Sequence, residues 1–161
     1  NLRRLMGSGG GGFEDAEINE VVQSTLRLVS NEMLARGITV QLQLSRDALM
    51  VKGDVQQLQQ VLLNLVINAA DAMADQDTRH MTISTDLDAA GRRVLSVADN
   101  GPGLPEELRD NPFKPFATSK SQGMGLGLSI SQTIAEAHGG TLRFVSSTGE
   151  GARIELALPA P

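Results

Sequence analysis

The chain has 161 residues, room for one domain with a modest core. Apolar residues make up 40% and aromatic residues only 2%, so the composition is globular and the core must be built from Leu, Val, Ile, Met and Ala. A formal net charge of −5 speaks against a general nucleic-acid binder, the lack of cysteine excludes disulfides and thiolate metal sites, and no apolar run reaches the roughly 18 residues that span a bilayer.

Asn1–Met6 reads as the end of a helix, and residues 7–12 read as a flexible Gly-Ser linker. A chain opening this way reads as a piece of a longer protein, with one compact domain over residues 13–161. Ile18, Val21, Val22, Leu26, Val29, Met33 and Leu34 recur at helical spacing, and Gly37 marks the stop. Ile38, Val40, Leu42 and Leu44 alternate with polar residues, as in a half-buried strand. Asp54 then caps a long helix to about Ala74. Met81–Asp88 and Arg93–Ala98 read as strands joined at Ala90-Gly91. Asp99–Met124 collects prolines, glycines and polar residues into a long irregular segment, a length common in functional lids. Leu126–Ala137 is a predicted helix, and Leu142–Ser146 with Ala152–Leu158 forms a predicted hairpin around Thr148-Gly149-Glu150-Gly151. Helices and strands mix without βαβ alternation. The expected fold is therefore α/β, one sheet with helices on one face.

Four segments carry candidate chemistry. The long helix holds QVLLNLVINAADAM, in which Gln60, Asn64, Asn68 and Asp71 line one polar strip on an otherwise apolar helix. A solvated strip would favour charges; amides suit a bound ligand, and an amide oxygen is a hard neutral donor for Mg²⁺. A strand then runs into Asp99, followed by Asn100-Gly101-Pro102-Gly103. A carboxylate at a strand end accepts from an exocyclic amine such as that of adenine, although the same glycines also make ordinary turns. Next comes NPFKPFATSK, where Phe113 and Phe116 anchor the segment and Lys120 offers a cation for a β- or γ-phosphate, or simply a surface charge. Last is Gly123-Met124-Gly125-Leu126-Gly127, which leads into a helix. Exposed N–H groups at a helix start favour phosphate, yet no Walker lysine follows and the spacing is not that of a dinucleotide fingerprint.

In this order the four segments resemble the asparagine box, first glycine box, phenylalanine box and second glycine box of bacterial sensor histidine kinases. The wording PFATSK followed by GMGLGLSI is similar to the oxygen- and dicarboxylate-sensing branch. The resemblance covers roughly Ala16–Pro159. It implies a Bergerat-type two-layer sandwich with a mixed sheet, helices on one face and a long ATP lid, as in gyrase-type ATPases. It implies ATP and Mg²⁺ as ligands, with Asn68 on the metal and Asn64 beside the phosphates. Asp99 would take the adenine amine, with Gly101 and Gly103 beside the base. Asp71, Thr118, Ser119, Lys120, Gly123, Met124, Gly125, Leu126 and Gly127 complete the nucleotide site, and Asn64 and Lys120 are the candidate catalytic residues. Gln60 and Lys114 depart from the glutamates common in the family.

The activity implied is transfer of the γ-phosphate of ATP to a histidine on a separate dimerisation domain of the same kinase, for relay to a response regulator. The expected setting is cytoplasmic, with no nucleic acid and no membrane contact by this part of the protein. His80 and His138 do not have the acidic helical setting of the family's acceptor. A gyrase-like ATPase and a non-catalytic nucleotide-binding module (a pseudokinase) are the alternatives. The first is disfavoured because Asn64 stands where such an ATPase needs a water-activating Glu.

Overall fold

The computed structural model describes residues 12–103, 122–145 and 151–161. Among the described residues seven strands and three helices follow in chain order: β1 (Glu14–Glu17), α1 (Ile18–Ala35), β2 (Ile38–Gln43), β3 (Met50–Gly53), α2 (Val55–Ala72), β4 (Arg79–Leu87), β5 (Arg93–Asp99), α3 (Gln122–Ala137), β6 (Thr141–Phe144) and β7 (Arg153–Leu158). Five strands form one sheet in the order β2-β4-β5-β7-β6, in which β2 and β4 are parallel and the other pairs antiparallel. β1 and β3 form a separate antiparallel pair.

Alternation along the strands decides which sheet face is covered. Met81, Ile83, Leu95, Val97, Ile154 and Leu156 are buried and join one core with Val61, Leu62, Leu65, Leu128 and Ile134 from the helices. The alternate positions carry Thr82, Ser84, Ser96, Arg153 and Glu155, with the Ser84 and Ser96 hydroxyls 2.6 Å apart. The expected sheet with helices on one face is thus what forms.

Each of the first two helices starts on an acidic cap. Glu17 accepts the N–H groups of Asn19 and Glu20, and also that of Leu49, tying the helix start to the strand-side loop. Asp54 accepts from Gln56 and Gln57 at the start of α2. Its own N–H donates to Nε2 of His138, whose Nδ1 donates to the Ile134 carbonyl, so the ring is held as the Nδ1–H tautomer. Phe13 stacks on that ring with centroids 4.3 Å apart.

The far end of α2 is closed by Arg79. Its Nε donates to the Met73 and Gln76 carbonyls, Nη2 to Ala74, and Nη1 to Arg36 at the end of α1. One guanidinium thereby gathers carbonyls from the ends of two helices, the Met73 carbonyl also accepting from the Gln76 N–H. Arg79→Met keeps the stem and removes the donors. It is expected to lower stability by about 2–3 kcal/mol, read as a lower denaturant midpoint at unchanged slope.

Besides shifts of one or two residues at strand ends, the elements differ from the sequence expectation in these places. β1 and β3 are additional strands of four residues each, too short to impose a period. α2 stops at Ala72, with Met73 as its cap, not at Ala74. α3 begins at Gln122, so the glycine cluster lies inside its first turns and does not precede it. Glycine costs a helix only about 1 kcal/mol against alanine. That is too little to set the boundary when Leu128, Ile134 and Ala135 anchor the same helix in the core.

Candidate functional site

β5 delivers Asp99 to the edge of the core. Its Oδ1 accepts the Gly101 N–H at 2.8 Å and the Ala152 N–H at 3.4 Å. Its backbone N–H donates to the Ala152 carbonyl, which keeps the strand paired up to this residue. Burial raises the Asp99 carboxyl above the ordinary carboxylate range, and the two N–H donors pull it back. A half-buried carboxylate held on one oxygen by backbone is a fixed acceptor for a polar group arriving from outside.

The turn beyond it is shaped by absent side chains. A Cβ on Gly101 would stand 2.6 Å from the Ala72 carbonyl oxygen and 3.0 Å from Asp99 Oδ1, so the end of α2 and the carboxylate are packed against bare backbone. Gly103 has φ +88° and Gly151 φ +104°, both in the left-handed region that favours glycine. A Cβ on Gly151 would also collide with the Asp99 carbonyl. Asn100 pins the turn by accepting from the His80 N–H and donating to the Thr78 carbonyl.

α2 supplies the amides. Asn64 and Asn68 are half-buried and one turn apart, about 6 Å of rise. Asn64 Nδ2 donates to the Ser131 hydroxyl on α3 at 3.2 Å. Gln60, on the same strip, is exposed. Asp71 makes an ion pair between α2 and the end of α1, its Oδ1 2.9 Å from Arg36 Nη1. The guanidinium is held in its charged form by Asp71 first and Glu32 second.

The backbone of residues 123–127 forms the start of α3, where the first N–H groups of a helix lack partners within it. Thr118, Ser119 and Lys120, with the rest of the expected lid including Phe113 and Phe116, lie outside the described residues, as do residues 1–11 and the turn at 146–150. Ser131, Arg79 and the place of Gly151 beside Asp99 are not identified by sequence reasoning. Gly151 reads there only as part of the turn Thr148-Gly149-Glu150-Gly151, and Ser131 and Arg79 carry no signal short of the fold.

Three comparisons bear on this arrangement. The family model described as histidine kinase-, DNA gyrase B-, and HSP90-like ATPase matches residues 53–161, more than half of the chain. The chain belongs to that ATPase family. Membership implies ATP binding by this domain. Within the family the chain is similar to sensor kinases. It is 38% identical over 145 residues to the C4-dicarboxylate transport sensor protein DctB of Rhizobium meliloti, covering 90% of this chain and 23% of that protein. It is 35% identical to the sensor histidine kinase ZraS of Klebsiella oxytoca, covering 91% and 31%. The chain therefore spans between a quarter and a third of the latter and slightly less of the former. Among solved structures, the catalytic domain of histidine kinase ThkA superimposes with a TM-score of 0.81 at 31% identity, over 92% of this chain and 95% of that one. ThkA has also been solved in complex with a response regulator protein, TrrA, a structure that matches with a TM-score of 0.78 at 27% identity, over 92% of this chain and 42% of that one. Among the described residues no helix is long and apolar enough to cross a membrane.

Proposed function

We propose that this ATPase-family domain is the ATP-binding half of a sensor histidine kinase: it holds Mg-ATP and presents the γ-phosphate to a histidine supplied by a dimerisation domain. The observation that carries the reading is the Asp99 carboxylate, fixed by Gly101 and Ala152 at the end of a buried strand. It accepts from the adenine amine, where guanine would offer a carbonyl. Gly101 and Gly103 lie beside the base.

The phosphates lie toward the start of α3, where Gly123 and Met124 offer N–H groups not used within the helix and Gly125, Leu126 and Gly127 follow in the same turns. Mg²⁺ fits the donors present. A single neutral oxygen from Asn68, phosphate oxygens and water make the set this ion prefers, and no group of three or more His, Cys, Asp or Glu among the described residues offers a cage instead. When bound, the ion neutralises charge on the β- and γ-phosphates. Asn64 steadies the phosphates, and Thr118, Ser119 and Lys120 contact them from the lid, with Lys120 as the second catalytic candidate. Asp71, on the same strip and paired with Arg36, completes the proposed site.

In the transfer itself the acceptor imidazole nitrogen bonds to the γ-phosphorus as the bond to the bridging oxygen breaks, and ADP leaves. Neither histidine of this chain suits that role. His138 is buried with both ring nitrogens engaged, and His80 sits on a strand. The dimerisation domain of the same kinase supplies the acceptor, and a response regulator receives the phosphate afterwards. A cytoplasmic setting follows from that relay.

Incubation with labelled ATP and the hairpin domain of a cognate kinase tests the reading. Acid-labile, base-stable label is expected on the hairpin, and calorimetry is expected to show ATP bound more tightly than GTP. Label retained on this chain alone, or equal affinity for the two nucleotides, would overturn it.

A further inference from the structure

β4 outruns β5 at the nucleotide end of the sheet. Their pairing stops at the rung Met81 opposite Asp99, yet β4 begins earlier, at Arg79. On its other side β4 stays paired with β2, Arg79 opposite Ile38 and His80 opposite Thr39. The main chain of β5 ends at Asp99, where the Gly101 N–H turns back onto the Asp99 carboxylate. The His80 N–H and the Thr78 carbonyl would then have no rung of β5 to pair with.

Asn100 supplies that rung with a side chain. Its Oδ1 accepts the His80 N–H at 3.0 Å, and its Nδ2 donates to the Thr78 carbonyl at 2.8 Å. Both partners are main chain, one only a donor and the other only an acceptor, so they fix which way round the carboxamide sits. A carboxamide carries the same donor and acceptor as a peptide group and can continue an antiparallel ladder. Asparagine before glycine usually serves its own turn. Asn100 instead spends both ends of its amide on the chain entering β4. Aspartate has no donor for the Thr78 carbonyl, and alanine has neither group. The anchored residue lies between Asp99 and Gly101, so the peptides on either side of it are those that aim the carboxylate and hold it by the Gly101 N–H. A turn fixed before the ligand arrives has less freedom to lose on binding and offers its acceptor in one direction.

We propose that Asn100 is a positioning residue for base recognition: its carboxamide, standing as an extra rung on β4, holds Asp99 in the direction that separates adenine from guanine. The proposal rests on Asp99 as the acceptor of the adenine amine. Asn100 acts through that carboxylate and not on the base.

Titration calorimetry with Mg-ATP and Mg-GTP on the whole chain tests this, for the wild type, Asn100→Ala and Asn100→Asp. The wild type is expected to prefer ATP. In Asn100→Ala the ratio of ATP to GTP affinity is expected to fall by about tenfold, the worth of one hydrogen bond. Asn100→Asp keeps the acceptor for His80 and loses the donor, so it should lose part of the ratio. Its added charge opposes both triphosphates alike and cancels in that ratio, and it carries the comparison if the alanine protein does not fold. A role confined to stability would lower the melting temperature and leave the ratio of the folded protein unchanged. Either variant, folded and with the wild-type ratio, overturns the proposal. A wild type with equal affinity for the two nucleotides overturns the reading of Asp99, and the proposal with it. The wild-type measurement alone distinguishes the two failures.

Discussion

Asn68→Ala is expected to stop phosphotransfer while leaving the domain folded and able to bind adenosine. Asn68 is half-buried on the polar strip of α2, whose apolar faces carry Leu58, Val61, Leu62, Leu65 and Ala69 in the core. Alanine is the best helix former, and no core contact of those residues is lost, so the melting temperature should hold. The change removes the one protein oxygen proposed for Mg²⁺. A bound divalent ion supplies several kcal/mol of charge stabilisation to phosphoryl transfer, and loss of that amount is on the order of a thousandfold in rate. Adenosine has no phosphate and should bind within about twofold, a difference under half a kcal/mol. Transfer of label to a hairpin acceptor measures the first quantity and calorimetry the second. A normal transfer rate in Asn68→Ala would remove the residue from the metal site.

Asp99→Asn should separate stability from binding. The amide keeps an oxygen for the Gly101 N–H but loses the charge that strengthens the bond from adenine. The cost is about 1.5–3 kcal/mol, from about tenfold to somewhat over a hundredfold in ATP affinity. Stability should move the other way. Burial raises the Asp99 carboxyl in the fold. A raised carboxyl contributes stability that is complete below the ordinary carboxylate range and is lost as pH rises through its folded-state value. At neutral pH the wild type therefore carries an ionised, half-buried carboxylate at a cost that Asn does not incur, and the ligand-free variant should melt at least as high. Binding has the opposite sign, since it needs the carboxylate. ATP affinity of the wild type should fall as pH drops through the raised Asp99 value, and that component should be missing from Asp99→Asn. Melts and titrations at neutral and mildly acidic pH check both halves. A variant that melts lower and binds ATP normally would contradict both.

Elements with a clear period are legible in the amino-acid sequence. α1 and most of α2 follow from apolar spacing, and β2, β4, β5 and β7 from alternation, because each buries one face against a common core. Asp99 is legible because a charge ending an apolar strand is unusual. The β1–β3 pair is not. Glu14-Asp15-Ala16-Glu17 has little strand preference of its own, and its signal lies in partners more than thirty residues away, with Ala16 opposite Val51 and Asp15 paired to Lys52. The start of α3 is misplaced in the sequence because glycine reads as a breaker, and local propensity yields to packing. The Arg36–Asp71 ion pair is illegible in sequence because the cation arrives from another helix. Ser131 is illegible for the same reason: its contact with Asn64 depends on which side chain of α2 it meets.

The Asp99 turn has walls made of main chain. Gly101 leaves no room for a side chain beside the Ala72 carbonyl, and Gly151 leaves none beside the Asp99 carbonyl. A compound that competes for this turn and takes its contacts from those backbone atoms would meet a surface that single substitutions redraw poorly. Replacing either glycine disturbs the fold before it disturbs the compound. Escape from such an inhibitor would then have to come through Asp99 itself, the residue proposed to recognise the adenine. Resistance and loss of function would then be selected together.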